Sequence, residues 1–286
     1  MDIVMVRLLG GLANQLFQYA LGRTLAIRTG ALLRFDTRDL DNDTLRDYAL
    51  DVLNVRGCKA SLAELDYFRP ENSSKITLLQ EKSFTYDPTI RLAQAPIYLS
   101  GYWQSEKYFF DMDSVLRQDI TLATPLSQLG NELAKRMEAT NSVSVHVRRG
   151  DYVTNSHTNT YHGAVGVDYI NKSIQHIHTT HPSSVFFVFS DDIEWTKANL
   201  KSEAELVFVP ARPDACDAED MILMGRCKHH ILSNSSFSWW GAWLNPSRRK
   251  IVIAPSPWFR NPENDTRDLY GERWLKLSIQ TGDKVA

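Results

Sequence analysis

The sequence predicts an α/β protein built from two Rossmann-like domains facing a cleft. A βαβ signature opens the chain, a second alternation of apolar strands and amphipathic helices fills its latter half, and the composition is that of an ordinary soluble globular protein. In the opening unit IVMVRLL is apolar and strand-like, and GG makes a turn. NQLFQYALGRTLAIRTG then places Leu16, Phe17, Ala20, Leu21, Leu25 and Ile27 on one helical stripe, with Gly30 as a stop. ALLRFD supplies the next strand, and a βαβ unit implies a parallel sheet.

From Thr37 to Ile120 the pattern weakens into polar loops (FRPENSSK, TYDPT) around one expected strand, PIYLSGYW, and Leu122 to Lys135 reads as a hinge into a helix. Alternation then returns. VSVHV, SVFFVFS, ELVFVP, HHILS and KIVIAP are strands, interleaved with the helices DYINKSIQHI, IEWTKANL, AEDMILMGRC and SFSWWGAWL. The expected division is residues 1–135 and 136–286, with the C-terminal tail packing back on the first domain.

At 286 residues there is core enough for both domains, with 43% hydrophobic and 23% charged residues. A net charge of −2 argues against a general nucleic-acid binder, whose phosphate contacts need a basic surface, so any anion site is local. Cys58, Cys216 and Cys227 form no CxxC pattern and read as buried or partly buried thiols in a reducing compartment. The start MDIVMVRLLGG reads as a strand, not a signal peptide, and no apolar run approaches the roughly 20 residues of a membrane helix.

Four stretches carry candidate chemistry. In RLLGGLANQ, Gly10 and Gly11 join a strand to a helix, where backbone N–H groups can approach a phosphate or sugar; Asn14 and Gln15 would stand at the helix start with amides free to donate. A tight turn with Asn14 as N-cap explains the same residues equally well. HVRRGDY ends a strand with His146, Arg148, Arg149 and Asp151. Both arginines are donor-site candidates, but only one can aim straight at a ligand, and the other organises the loop or pairs with an acid such as Asp151. SVFFVFSDD closes a strand with Asp191 and Asp192, fit to accept from a purine or ribose or to cap the next helix. SNSSFSWWGAWL puts Ser235, Ser236 and Phe237 at a helix start, the hydroxyls poised for a phosphate, while Trp239, Trp240 and Trp243 fall at core-like spacing. HIHTTH scatters its imidazoles over different helix faces, and the DND and DMD strings at Asp41 and Asp111 follow no convincing strand.

Together GGLANQLFQYA, HVRRGDY, FSDD and SNSSFSWWGAWLN resemble the bacterial α-1,2-fucosyltransferases, in order and up to about residue 245. The resemblance implies a GT-B glycosyltransferase that moves L-fucose from GDP-β-L-fucose to the 2-hydroxyl of a terminal galactose with inversion, and with no cofactor or metal. It further implies that Arg148 contacts the β-phosphate and bridging oxygen, His146 the nucleotide, Asp191 or Asp192 the guanine, and Ser235, Ser236 and Asn14 the pyrophosphate. Residues 1–135 would bind the acceptor and 136–286 the GDP-fucose. For the general base the sequence offers Asp151, with Asp36 as rival. The expected acceptor is a galactose-terminated O-antigen or capsule glycan, and the expected location is cytoplasmic, at most peripheral to the inner membrane face. Other fucose linkages or acceptors, and a non-catalytic carbohydrate or nucleotide-sugar binding protein, are the alternatives.

Overall fold

The computed structural model describes residues 2–150, 163–216 and 218–285, apart from the side chains of residues 70, 72 and 73. It divides into two compact units, Met1–Thr124 with Arg267–Leu269, and Pro125–Thr266 with Tyr270–Ala286. Helix Gln128–Ala139 therefore lies wholly in the second unit, and a boundary at residue 135 would fall inside it.

In the first unit five parallel strands run in the order β3-β2-β1-β5-β4: β1 (Ile3–Arg7), β2 (Leu32–Asp36), β3 (Cys58–Lys59), β4 (Thr77–Gln80) and β5 (Ile97–Ser100). β1 is central because every second neighbour is apolar on both faces: Ile3, Val4, Met5 and Val6 are all buried, as a parallel sheet covered on both sides requires. The first crossover is helix Leu12–Thr29, closed by Gly30 in a left-handed conformation (φ 69°) whose N–H returns to the Ala26 and Ile27 carbonyls. Chain order moves outward from β1 to β2 and β3, then crosses to β4 at the opposite edge and comes inward to β5, on β1's other side. The sheet's reversal of direction thus falls between β1 and β5.

The second unit has six parallel strands in the order β11-β10-β9-β6-β7-β8: β6 (Asn141–Val147), β7 (Ser184–Ser190), β8 (Glu205–Phe208), β9 (His229–Ile231), β10 (Val252–Ser256) and β11 (Leu275–Ser278). Alternation along β6 sorts its side chains. Val143, Val145 and Val147 join the core against helix Val167–Thr180 through Tyr169, Ile170 and Ile174. Ser142, Ser144 and His146 face the other way, toward helices Gln128–Ala139 and Ser236–Leu244. Their polarity is satisfied internally, as burial demands. Ser142 Oγ donates to the Met137 carbonyl, and Ser144 Oγ lies 2.8 Å from His230 Nδ1. Asn245 Oδ1 accepts from the Ser247 N–H, which turns its amide nitrogen toward His230 Nε2 and leaves the imidazole proton on Nδ1 for Ser144. Trp239, Trp240 and Trp243 are buried and edge-packed on one another, so they build core, as their spacing predicts.

Candidate active site

In open parallel sheets ligands gather outside the carboxyl ends of the strands where strand order reverses. For the second unit this is the gap between β6 and β9. His146, the last residue but one of β6, places Nδ1 2.7 Å from the hydroxyl of Ser233, which follows β9. Burial, and secondarily the charge of Arg148, push the His146 imidazolium down to about 3, so the ring is neutral near pH 7. Beside it begins helix Ser236–Leu244. Ser235 caps it by accepting from the Phe237 N–H, and the Phe237 ring lies 5.7 Å from that of His146. A helix start with half-exposed Ser236 and Phe237 offers oriented N–H groups to an anion.

The two arginines then leave the strand end in different directions. Arg148 Nη1 meets Asp191 Oδ2 at 3.0 Å, with both side chains under a third exposed. Arg149 is less exposed, stacks its guanidinium 3.4 Å from the Trp195 ring centroid and reaches Asp192 Oδ2 at 3.4 Å. Asp192 also accepts from the Trp195 N–H and so caps helix Ile193–Asn199, while Asp191 Oδ1 accepts the backbone N–H of Arg149. One acid thus fastens the loop and aims Arg148, and the other belongs to a helix cap and its arginine. The expected pairing with Asp151 lies outside the described residues, and so does Asp151 itself.

In the first unit the corresponding edge lies between β1 and β5. Gly10, at φ 73°, and Gly11 make the turn before helix Leu12–Thr29, and Gly11 is its N-cap. The alternative reading of Asn14 as N-cap is thereby set aside: Asn14 sits inside the first turn, where its Oδ1 accepts from Gln104. Nor is the Gln15 amide free to donate outward. Its Nε2 gives to the Gly10 and Asp47 carbonyls while its Oε1 accepts the Ala49 N–H, so Gln15 ties the glycine turn to the loop beyond β2. Gln18 similarly clamps both backbone groups of Leu9.

Three carboxylates stand at this edge. Asp36 is 1% exposed and accepts from Arg38 and from the Tyr98 hydroxyl at 2.7 Å. Burial alone would raise its proton affinity, but those hydrogen bonds and the Arg38 charge outweigh it and hold the group below the usual carboxylate range. Asp39 takes both forks of Arg7, 2.7 and 2.8 Å, and is likewise held low by that hydrogen-bonded pair. Glu81, just past β4, accepts among the described residues only backbone N–H groups, from Tyr102 at 2.7 Å and Trp103 at 2.9 Å. Burial pushes its proton affinity up, and those two bonds do not cancel the effect.

Sequence reasoning missed Ser233, Trp195, Glu81 and the Arg7–Asp39 pair. Trp195 had a visible signal, three residues after a capping Asp; the others become neighbours only through strand pairing. Cys58, expected to be at least partly buried, is exposed on the short edge strand β3. Of the two acid strings set aside as chance, Asp111 is held by Arg28 and Arg91, and Asp41 accepts from the Thr37 hydroxyl. Among the described residues no three His, Cys, Asp or Glu side chains are disposed to hold a metal ion, and no helix is long and apolar enough to cross a membrane.

Against known proteins, residues 78–278 match glycosyl transferase family 11. An Escherichia coli alpha-1,2-colitosyltransferase is 37% identical over 97% of this chain and 99% of its own. The O-antigen biosynthesis glycosyltransferase WbnK of Escherichia coli is 30% identical over 94% of this chain and 98% of its own. The galactoside alpha-(1,2)-fucosyltransferase 1 of Lagothrix lagotricha is 29% identical, over 51% of this chain and 42% of that protein. Among solved structures, the fucosyltransferase NodZ from Bradyrhizobium superposes with a TM-score of 0.54 at 14% identity, covering 86% of this chain and 93% of that one. An Arabidopsis thaliana FUT1 mutant in complex with GDP gives 0.52 at 13% identity, covering 92% and 73%. The two Rossmann-like units thus have the GT-B fold of these fucosyltransferases.

Proposed function

Because the chain belongs to glycosyl transferase family 11, we propose that it transfers L-fucose from GDP-β-L-fucose to the 2-hydroxyl of a terminal galactose, inverting the anomeric centre, in assembly of a bacterial O-antigen or capsule glycan. The observation that carries this reading is the grouping at the reversal point of the second sheet: a neutral buried His146, Arg148 aimed by Asp191, and a helix start at Ser236. All three suit a nucleoside diphosphate, and a lectin has no use for them.

In this mechanism the second unit binds the donor and the first the acceptor. The diphosphate lies on the N–H groups of Ser236 and Phe237 with the Ser235 and Ser236 hydroxyls beside it, and Arg148 meets the β-phosphate and bridging oxygen. Asn14, beside the glycine turn of the first unit, also donates to the pyrophosphate. His146, uncharged, hydrogen-bonds the nucleotide without competing for the phosphate charge. As the bond from C1 to the phosphate oxygen breaks, negative charge grows on GDP and the guanidinium stabilises it; such preorganised donors supply about 10²–10³-fold in rate each. The galactose 2-oxygen attacks C1 from the opposite face and gives up its proton. No metal is assigned a role in these steps. Asp191 or Asp192 accepts from the guanine, a part Asp191 can share because it uses one oxygen on Arg148 and the other on a backbone N–H.

The relationship at 37% identity favours a second reading, in which the donor is GDP-colitose, a sugar that lacks the fucose 3-hydroxyl. Incubation with GDP-fucose or GDP-colitose and lactose in EDTA, followed by GDP release and product NMR, tests both. Acceptor-dependent turnover of GDP-fucose to an α-1,2 product is expected. Turnover of GDP-colitose alone selects the second reading, and binding without turnover across a panel of β-galactosides overturns both in favour of a binding protein.

A further inference from the structure

We propose that Glu81 is the general base that takes the proton from the acceptor hydroxyl. The inference rests on the transferase reading above and names a residue that reading leaves open. It begins with company: Asp36 is saturated by Arg38 and Tyr98, and Asp39 by Arg7, so neither has reason to take up a proton. Glu81 stands at the same carboxyl edge with no cationic partner among the described residues.

Its placement is specific. Each oxygen accepts one backbone N–H, Oε2 from Tyr102 and Oε1 from Trp103, which fixes the carboxylate plane and leaves each oxygen a further lone pair. The loop it grips is costly. Trp103 adopts φ 58°, left-handed space that a bulky side chain avoids at about 1–3 kcal/mol, and its buried indole N–H has no partner among the described residues. Even Gly101 is pressed so close that an added Cβ would stand 2.3 Å from that of Glu81. Backbone strain of this kind clusters where geometry must be exact. The same loop carries Gln104, whose amide bonds Asn14 at the helix start, so the carboxylate belongs to the edge that holds the glycine turn. The charged and titratable groups facing it are the phenols of Tyr102 and Tyr108, and Arg7 stands near Tyr102. None of the two phenols titrates near neutrality, because burial raises both, Tyr108 to about 12.

The step balances without a further reactant. The galactose 2-oxygen forms its bond to C1 while the bond from C1 to the phosphate oxygen breaks, GDP leaves with the electron pair, and the hydroxyl proton passes to Glu81. The resulting carboxylic acid returns its proton to water after product leaves. A carboxylate held in one plane by two backbone N–H groups, with its proton affinity raised by burial, suits that cycle because it is a stronger base than a solvated acid.

The test compares wild type with Glu81→Ala in three readouts: acceptor-dependent GDP release against pH, hydrolysis of the donor by water, and rescue by added formate. Wild type should lose kcat on acidification through a limb lying above the ordinary carboxylate range. The variant should bind GDP-fucose normally, lose about 100-fold or more in kcat, lack that limb and recover activity with formate. A variant that keeps the limb, or that loses donor binding and transfer together without rescue, overturns the base and leaves a positioning role for the Trp103 loop. Should the variant not fold, the Glu81 side-chain carboxyl ¹³C resonance of the wild type decides: titration at or below the ordinary carboxylate range overturns the proposal. A wild type that transfers neither sugar refutes the transferase reading itself, a different result from a working enzyme indifferent to Glu81.

Discussion

At the carboxyl edge of the second sheet Asp191 is matched to Arg148 and Asp192 to Arg149, around an imidazole kept neutral by burial; at that of the first, Asp36 and Asp39 are matched to Arg38 and Arg7, while Glu81 has only peptide N–H groups among the described residues. Both edges use the same parallel-sheet geometry, and both neutralise most of their charge locally. They differ in what is left over. Under the proposed mechanism the second receives the negative charge of the departing diphosphate and the first the proton of the attacking alcohol.

The largest blow to this contrast is Arg148→Ala. Loss of its guanidinium should cost about 10²–10³-fold in kcat, with GDP-fucose binding reduced less, as read by steady-state GDP release and by calorimetry. Full activity in that variant would mean the second edge does not meet the leaving group.

Acid should separate the units next. The folded-state value of His146 lies below its ordinary 6.5, so its stabilising contribution is complete above about 6.5 and is lost as pH falls toward about 3. Buried His230 is displaced in the same direction. Asp36 is also depressed, but from 3.8, so its contribution persists through mild acid and disappears only as pH falls below that value. Glu81 is displaced upward, so its contribution grows on acidification. Between about pH 7 and pH 5 the second unit should therefore lose about 2 kcal/mol through His146, and the first unit little. Hydrogen-exchange protection factors for β6 against β1 measure the difference, and equal losses would contradict it.

The smallest effect sharpens the first edge alone. In Gly10→Ala the added Cβ would meet Asn14 Nδ2 at 2.6 Å in a left-handed backbone, costing about 1 kcal/mol in a urea titration. Because Asn14, the proposed pyrophosphate donor, must shift, and Gln104 bonds it, KM for GDP-fucose should rise while acceptor KM stays nearly constant.

Much of the fold could be read from the chain because a parallel sheet buried on both faces writes itself as apolar runs: IVMVR, SVFFVFS and VIAPS are such strands. β3, β4 and β11 could not, since they are short edge strands with mostly exposed or half-exposed residues and no run to betray them. At the site, Arg148, Asp191, Asp192 and Ser235 were visible as charges and hydroxyls at strand ends and helix starts. Asn14 could be read as a cap as well as a ligand donor because the true cap, Gly11, carries no side chain to announce it. Glu81 looked like any charged residue in a polar loop; what distinguishes it is a pair of backbone donors twenty-odd positions later in the chain.

Arg267–Leu269, drawn from the end of the chain, belong to the first unit. Asp268 accepts the Tyr86 N–H at 2.7 Å and pairs with Lys107, and its carbonyl accepts from Ser105 at 2.6 Å. Ser105 and Lys107 continue the loop that bears Trp103 and Gln104. An engineer recombining family members therefore cannot transplant residues 1–124 as a cassette: the graft would arrive without its own clasp and meet a foreign one. The exchange has to carry this tripeptide with it, as a discontinuous module cut from two places in the gene.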